Sequence, residues 1–379
     1  MRPSQEFLKE VIEVFKKDNP ILKIPINNKK GNFKKILCDK LKEYEEFFEK
    51  EILQIINKKN ITFNGIKTSD ILNDIKTLNI GLIKSIEEYL NGKPYEANNV
   101  FFKTLNEVNY ENVKFEREIP IGNLFFRARP KSATQFKKEE LFHIPFQRRT
   151  IVSTNRYSIP GIPALYLGDN SYTCWEEFER PDFKDLSFSV FENKRALNII
   201  RILRLDDLLK EIEENITKTF IPIEILKFFI YFPLTIACTI KVYDKKGNFK
   251  PEYIIPQMLL EYVVRNEKID GIMFPSTKIN YDNLENLKAY NYIFPIRENQ
   301  DSGYCPILKS TFTLTEPTSL KLEELLDNPV YKKTFFYTQK ELAEKPEKIT
   351  IIKEEKKEYF NTSFGKLDTI LKKKIRKKL

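Results

Sequence analysis

One stretch of the sequence, between residues 155 and 177, combines residue types that can take part in chemistry. Arg156 and Tyr157 precede a Pro-Gly turn, and the only tryptophan stands directly before Glu176 and Glu177. An arginine presents a planar, permanently charged fork that fits phosphate oxygens, and a carboxylate can stabilise positive charge that develops on a substrate. Taken singly, each of these residue types is ordinarily a surface, core or turn residue. The stretch is therefore informative only through its combination of residues.

The composition excludes several classes of site. The chain has one histidine, His143, and four cysteines at positions 38, 174, 238 and 305, with no Cys-x-x-Cys or His-Glu-x-x-His pattern. A zinc site built from Cys and His is therefore not expected, and a Ser-His-Asp triad could use only His143. Because the cysteines follow no pattern and no signal peptide is recognised, we predict a protein of the reducing cytoplasm.

The excess of positive charge is concentrated near the end of the sequence. The chain has 64 Lys and Arg against 54 Asp and Glu, and residues 353–379 alone hold 10 of the former and 4 of the latter. A basic segment of this kind is usually a solvated helix end, so binding of nucleic acid through Lys372–Lys378 is the less favoured alternative. The longest apolar run, Phe228–Ile240, has 13 residues. Since a bilayer span needs about 20, no membrane partner is expected.

The pattern along the chain predicts an α+β protein in three segments. Residues 1–118 carry helical periodicity, with apolar residues at steps of three and four, and predict a helical N-terminal domain. Residues 119–316 contain short apolar runs punctuated by Pro and Gly, typical of strands, interleaved with helices such as 207–214 and 256–266. Residues 317–379 are rich in lysine and helical in pattern, which predicts a C-terminal helical extension.

Four short sequence motifs, two of them within the stretch 155–177, follow one another in a specific order. They are Leu124–Arg129, Asn155–Ser158, Ala164–Leu167 with Glu177 eleven residues beyond Tyr166, and Ile269–Ser276. Together these motifs resemble the RES domain, a family named for an Arg, a Glu and a Ser. The resemblance covers residues 120–315, and Phe142–Phe146 resembles a motif of a longer subgroup. The chain departs from the family at Asn155 and Ser158, where many members have Gly and Asn.

The resemblance implies an ADP-ribosyltransferase-like fold for residues 119–316 and a site for NAD⁺, which would be the substrate and not a cofactor. The family's functional residues fall on positions that are then expected to be catalytic: Arg127, Tyr166, Glu177 and Ser276. The residues expected to bind NAD⁺ are Arg127, Arg156, Tyr157, Tyr166 and Ser276. Arg127 and Arg129 are both candidates for the family's arginine. Glu177 and Glu176 are likewise both candidates for its glutamate. No metal ligand is expected.

Cleavage of the bond between nicotinamide and ribose passes through an oxocarbenium-like state, so a site must clamp a dianionic pyrophosphate and stabilise a cation. An arginine can hold the phosphates, Tyr166 can stack on the nicotinamide, and Ser276 can bind its carboxamide or the ribose. Glu177 can place negative charge beside the cation. His143 is interpreted as structural, because this chemistry needs no general base with a pKa near ~6.5. Trp175 is interpreted as a core residue that orients the helix carrying Glu177.

The resemblance thus implies a NAD-consuming toxin or antiphage effector, a NAD⁺ glycohydrolase or phosphorylase that depletes cellular NAD⁺. Water, phosphate and a protein side chain all stay open as acceptors, so an ADP-ribosyltransferase that modifies a protein is the nearest alternative. The aromatic-rich stretch Phe136–Phe146 predicts a lid, which would favour a small acceptor. We also expect a homo-oligomer and a cognate antitoxin or regulatory protein as a partner.

Overall fold

The computed structural model describes residues 5–29, 31–58, 63, 66–108, 116–130, 136–215, 221–326, 346–352 and 355–379. The helices are α1 Gln5–Lys16, α2 Phe33–Phe47, α3 Leu53–Lys58, α4 Thr68–Leu90, α5 Pro94–Glu107, α6 Ser171–Glu177, α7 Leu205–Asn215, α8 Ile221–Thr239, α9 Ile254–Arg265, α10 Pro306–Thr311, α11 Leu320–Leu325 and α12 Ser363–Lys373. The strands are β1 Glu116–Ile119, β2 Leu124–Pro130, β3 Ala164–Gly168, β4 Leu186–Asn193, β5 Leu197–Arg201, β6 Gly271–Pro275, β7 Leu284–Glu285, β8 Tyr290–Pro295, β9 Phe312–Leu314, β10 Lys348–Ile352 and β11 Glu355–Glu358. The predicted α+β class is confirmed.

The chain divides into two compact units. The first comprises Met1–Arg117, Asn155–Ser158 and Ile200–Arg265, and it is built from helices. The second comprises Glu118–Thr154, Ile159–Ile199 and Asn266–Leu379.

Helix α8 lies in the core of the first unit because it is apolar on most of its surface. The Tyr44 hydroxyl donates a 2.8 Å hydrogen bond to the carbonyl oxygen of Phe229, and the rings of Tyr44 and Phe232 lie 4.8 Å apart. Such aromatic contacts require α8 to be enclosed by other helices. Residues 200–265 therefore belong to the helical unit. The sequence pattern, in contrast, assigned them to the segment 119–316.

One helix in the described part of the chain is long and apolar enough to cross a membrane by length and composition, at Pro222–Thr239. It is longer than the predicted 13-residue run because the helix begins upstream of Phe228. The structure buries 78% of this segment. A core helix of a soluble protein passes the same test, so this helix is weak evidence for a membrane span.

An eight-stranded sheet has the strand order β1-β5-β6-β8-β3-β2-β4-β9. Strand β8 pairs antiparallel with both β3 and β6, and Asn291 of β8 lies opposite Gly168 and Phe274. The ends of β3 and β6 therefore lie on either side of β8, near the middle of the sheet. About a hundred residues separate these two strands in the sequence. A separate three-stranded sheet has the order β11-β10-β7.

Helix α12 is part of the core of the second unit. Its residues Leu367 and Leu371 are fully buried in a cluster with Phe126, Cys174 and Phe188. The segment 317–379 was expected to be an extension, but its described residues pack into the sheet unit because α12 is amphipathic and buries its apolar stripe. Its neighbour in this packing is α6, the helix that ends at Glu177.

Candidate active site

Helix α6 is short, and its beginning is fixed by hydrogen bonds. The Asn170 side chain accepts a 2.8 Å bond from the Thr173 main-chain N–H and donates a 2.7 Å bond to the Lys288 carbonyl oxygen. This is the N-cap arrangement that satisfies an otherwise unpaired helix N–H. A side chain at Gly168 would place its Cβ only 3.2 Å from the Cys174 sulfur, so a glycine there lets α6 approach the end of β3 closely. Glu177 is the last residue of this helix.

The Glu177 carboxylate is held by two buried side chains from other elements. The Ser276 hydroxyl, directly after β6, donates a 2.6 Å hydrogen bond to Oε1 of Glu177, and the Asn291 amide of β8 donates a second bond of 2.6 Å to the same oxygen. Ser276 is 1% exposed and Asn291 is 8% exposed. The structure thus brings together Glu177 and Ser276, two residues that the sequence assigned to one site.

The second oxygen of Glu177 has a different environment. Its nearest cation is Lys278, whose Nζ lies 3.8 Å from Oε2 and donates a 2.5 Å hydrogen bond to the main-chain carbonyl oxygen of Glu177. The Glu177 side chain is 34% exposed. One carboxylate oxygen is therefore fixed by short hydrogen bonds, while the other lies 3.8 Å from Lys278 and belongs to a partly exposed side chain.

Glu176, the competing glutamate, has another role. Its carboxylate accepts two 2.9 Å hydrogen bonds from the Arg180 guanidinium, and its side chain is 3% exposed. Burial, together with a hydrogen bond to Glu176, raises the pKa of the Tyr172 hydroxyl. Since both carboxylate oxygens of Glu176 are engaged inside the fold, the geometry favours Glu177 for contact with a ligand.

Arg127 of β2 lies beside Tyr166 of β3. Its guanidinium Nη1 donates a 2.7 Å hydrogen bond to the Tyr166 carbonyl oxygen. Burial, and then the charge of Arg129, lower the pKa of Arg127 to about 9. Its Nε–H is buried and has no hydrogen-bond partner among the described residues. A buried donor without an acceptor is uncommon and costs free energy, unless a ligand or solvent supplies one.

Arg127 and Glu177 act electrostatically on the same buried atom. Burial raises the pKa of the Cys174 thiol, while the charge of Arg127 lowers it and the charge of Glu177 raises it. Cys174 belongs to α6 and lies in the buried cluster with Phe126 of β2. The charges of the predicted arginine and glutamate thus both act on one residue of α6, the helix to which Glu177 itself belongs.

Arg129 and the predicted lid lie together in the second unit. The Arg129 Nη2 donates a 3.3 Å hydrogen bond to the Phe142 carbonyl oxygen, and burial lowers the pKa of Arg129. Phe142 is fully buried and stacks on Phe191 at 6.1 Å between ring centroids. Because Phe142 and Phe146 are packed in the core, the end of the stretch Phe136–Phe146 is anchored to the sheet in this structure, while Phe136 is half-buried.

His143 uses both ring nitrogens for main-chain groups. Its Nε2 accepts a 2.9 Å hydrogen bond from the Cys305 N–H, so Nδ1 carries the proton and donates to the Ile144 carbonyl oxygen at 2.7 Å. Burial lowers the pKa of His143 to about 4. This geometry agrees with the interpretation of His143 as a structural residue.

Arg156 and Tyr157 belong to the first unit, whereas Glu177 belongs to the second. The Arg156 guanidinium donates to the carbonyl oxygens of Cys238 at 3.1 Å and Ile240 at 2.9 Å. Tyr157 is 1% exposed, and burial raises its pKa. Both side chains are thus packed among helices of that unit, and their predicted contact with NAD⁺ stays a prediction.

Asn291 is the site residue that the sequence pattern did not reveal. It stands between two tyrosines in an apolar strand, Tyr290–Pro295, whose other side chains are buried. A buried amide in such a strand needs hydrogen-bond partners, and this was the only available signal. The partner could not be identified without the pairing of β8 with β3 and β6. Among the described residues, no group of three or more His, Cys, Asp and Glu side chains could hold a metal ion.

A comparison with curated proteins finds one informative relative. The chain is similar to the "Putative toxin YopC" of Bacillus subtilis (strain 168). The two sequences are 40% identical over 291 residues, which is 73% of this chain and 64% of the relative. The chain therefore spans less than two thirds of the length of the relative that it matches. No protein-family model matches the chain, and no solved structure matches it.

Proposed function

We propose that this protein is a toxin that consumes NAD⁺ by cleaving the bond between nicotinamide and ribose. The toxin role is supported by the name of the relative from Bacillus subtilis, a putative toxin that shares 40% identity over 291 residues. The observation that carries the reaction is the carboxylate of Glu177, with Oε1 held by Ser276 and Asn291 at 2.6 Å each and the side chain partly exposed. The family resemblance assigns the same glutamate and serine to the site.

The fixed carboxylate suits an oxocarbenium-like transition state. When the C1–N bond of the nicotinamide riboside breaks, its electron pair goes to the nicotinamide nitrogen and positive charge develops on the ribose. A carboxylate already oriented by two hydrogen bonds stabilises this charge without having to reorganise. Ser276 then acts as a positioning residue for Glu177, because its proton is donated to Oε1 and its oxygen accepts the Lys278 N–H at 3.2 Å. Water or phosphate would next bond to C1, and the proton released goes to solvent.

The buried arginines of β2 suit the anionic part of the substrate. Arg127 and Arg129 lie two residues apart on one strand, so their side chains point to the same side of the sheet. Two like charges in a partly buried place are stabilised by a bound anion. The Nε–H of Arg127 is buried and has no acceptor among the described residues, so it can donate to a phosphate oxygen once the surrounding side chains move. A pyrophosphate supplies both the charge and the acceptors.

The test is incubation of the purified protein with NAD⁺, with and without inorganic phosphate, followed by identification of the products. We expect free nicotinamide together with ADP-ribose, or with ADP-ribose 1-phosphate where phosphate is the acceptor. Transfer of labelled ADP-ribose to a protein, with little free product, would instead identify an ADP-ribosyltransferase. If no nicotinamide is released, the proposed reaction is wrong.

A further inference from the structure

The turn that follows α6 has an unusual backbone. Glu179 and Arg180 both have positive φ, at 62° and 61°. This left-handed region is unfavourable for residues that carry a Cβ, and two such residues in succession persist only where the surroundings enforce them. The turn begins directly after Glu177 and Phe178, so its conformation sets how the last turn of α6 ends.

Several contacts enforce this conformation. The main-chain N–H of Arg180 donates to the Trp175 carbonyl oxygen at 3.2 Å, which folds the chain back onto α6. The Arg180 guanidinium then forms the paired 2.9 Å bonds to Glu176, and its Cζ lies 5.4 Å from the centre of the Trp175 ring. The Trp175 indole N–H donates a 2.7 Å bond to the Pro181 carbonyl oxygen. The pair of Glu176 and Arg180 thus closes a loop around the three residues between them in sequence, of which Glu177 is the first.

A second cation ties the same turn to the site. Lys278 Nζ lies 3.8 Å from a carboxylate oxygen of Glu179 and 3.8 Å from Oε2 of Glu177. The main-chain N–H of Lys278 donates to the Ser276 hydroxyl oxygen. The left-handed turn, Glu177 and Ser276 are therefore connected by direct contacts.

We infer that the Glu176–Arg180 ion pair positions the Glu177 carboxylate for the reaction, by holding the left-handed turn at residues 179 and 180. This inference rests on the proposed function, which makes Glu177 the residue that contacts the ribose. Without the paired bonds to Glu176, the turn relaxes toward ordinary backbone angles, and Glu177 shifts relative to Ser276 and Asn291. Small displacements of a catalytic group lower kcat more than they weaken substrate binding.

The test compares Arg180→Met with a matched control, Arg195→Met. Arg195 also forms a two-bonded pair with a carboxylate in the second unit, that of Asp270, and its side chain is 47% exposed against 43% for Arg180. Three quantities are measured: kcat and KM for nicotinamide release from NAD⁺, the thermal midpoint, and hydrogen exchange of the Lys278 main-chain N–H. The last reports the contact with Ser276 and needs no activity.

We expect Arg180→Met to lower kcat by about 10- to 100-fold with little change in KM, and to accelerate exchange at Lys278. Arg180→Lys should fall between Arg180→Met and the wild type, since a lysine keeps the charge but cannot form both bonds. Arg195→Met should lower the thermal midpoint comparably and leave kcat and this exchange rate unchanged.

Equal effects of the two methionine variants on kcat would overturn the inference, because they would reflect a general loss of stability. Unchanged kcat and exchange in Arg180→Met would overturn it as well. If the wild type releases no nicotinamide, the proposed reaction fails separately. The exchange rate at Lys278 in the two variants then decides whether the ion pair positions this site.

Discussion

Ser276 and Glu177 are joined by a 2.6 Å hydrogen bond although 99 residues separate them in the sequence. The bond connects the end of β6 with the end of α6, and Asn291 of β8 donates to the same carboxylate oxygen. Removal of either donor leaves Oε1 of Glu177 with one of these two hydrogen bonds. The following variants use this arrangement.

Ser276→Ala should reduce kcat for nicotinamide release by about 10- to 100-fold with a small effect on KM, since a hydrogen bond to a charged group contributes about 1.5–3 kcal/mol. The reason is that Glu177 loses one of the two donors that orient Oε1. Steady-state kinetics of the variant and the wild type provide the measurement. A large increase in KM at constant kcat would indicate instead that Ser276 contacts the substrate directly.

Asn291→Asp should make the activity depend on pH in a new way. It places a second carboxylate against Oε1 of Glu177, and two adjacent carboxylates cannot both be ionised at low cost, so one proton is shared at acidic pH. That proton restores the lost hydrogen bond. The activity of the variant relative to the wild type should therefore rise as the pH falls, and a constant ratio across the pH profile would contradict the assignment.

Glu177→Gln should abolish most turnover while leaving NAD⁺ binding nearly intact, because its negative charge acts as cationic character develops. Glu176→Gln is the comparison variant in the same helix; it weakens the pair with Arg180 and should lower kcat in the way that Arg180→Met does. We expect Glu176→Gln to lower the thermal midpoint and to retain more turnover than Glu177→Gln. The reverse order of turnover would move the role to Glu176.

Arg127→Met should raise KM for NAD⁺ by about tenfold or more, since a charge-assisted contact to the pyrophosphate is lost. Nicotinamide riboside carries no pyrophosphate, so its KM should change little. Calorimetric binding of ADP-ribose provides a second measurement. Equal losses for both substrates would show that Arg127 acts through its bond to the Tyr166 carbonyl oxygen and not through the phosphates.

Asp368 and His143 should have opposite effects on stability between about pH 4 and pH 6.5. Burial raises the pKa of Asp368 to about 6 from 3.8, so its contribution destabilises the fold as pH rises through this range. Burial lowers the pKa of His143 to about 4 from 6.5, so the fold is destabilised as pH falls through the same range. The two contributions, each about 3 kcal/mol, largely cancel in the wild type.

Asp368→Asn should expose the acid sensitivity that His143 causes. Asparagine can still accept from the Ser171 N–H and donate to the Tyr359 hydroxyl, the two partners of Asp368. We expect the free energy of unfolding of this variant to fall more steeply than that of the wild type from pH 6.5 to pH 4. Denaturant titrations at several pH values measure it, and parallel pH profiles would contradict the prediction.

Removal of the residues after Leu371 should lower stability and reduce activity. It deletes Lys374, whose Nζ lies 2.8 Å from Oε1 of the buried Glu323. It also deletes Arg376, whose Nε lies 2.5 Å from Oε2 of Glu192. Leu371→Ala alone should cost about 2–5 kcal/mol, because Leu371 is fully buried. The truncated protein could instead keep NAD⁺ cleavage and lose a salt-dependent binding to nucleic acid. This result would favour the alternative, in which the basic segment binds nucleic acid.

The sequence identified Glu177 and Ser276 because the residues that surround each of them form local, ordered patterns. Asn291 was missed because its role arises only from the pairing of β8 with β3 and β6. The assignment of Arg156 to phosphate binding stays a prediction, since an arginine next to a turn has the same local signature whether it binds a ligand or the carbonyl oxygens of its own fold. The sequence also could not distinguish Glu176 from Glu177, because the left-handed turn that brings Arg180 onto Glu176 cannot be predicted from its residue types.

The position of α12 has a consequence for the order in which the molecule is made. Translation produces every strand of the eight-stranded sheet before Ser363–Lys373, yet that helix supplies the buried leucines against which α6 packs. A growing chain therefore carries Glu177, Ser276 and Asn291 for some time without the support that fixes them. A cell that synthesises this protein would then translate residues 363–373 before the candidate site becomes ordered.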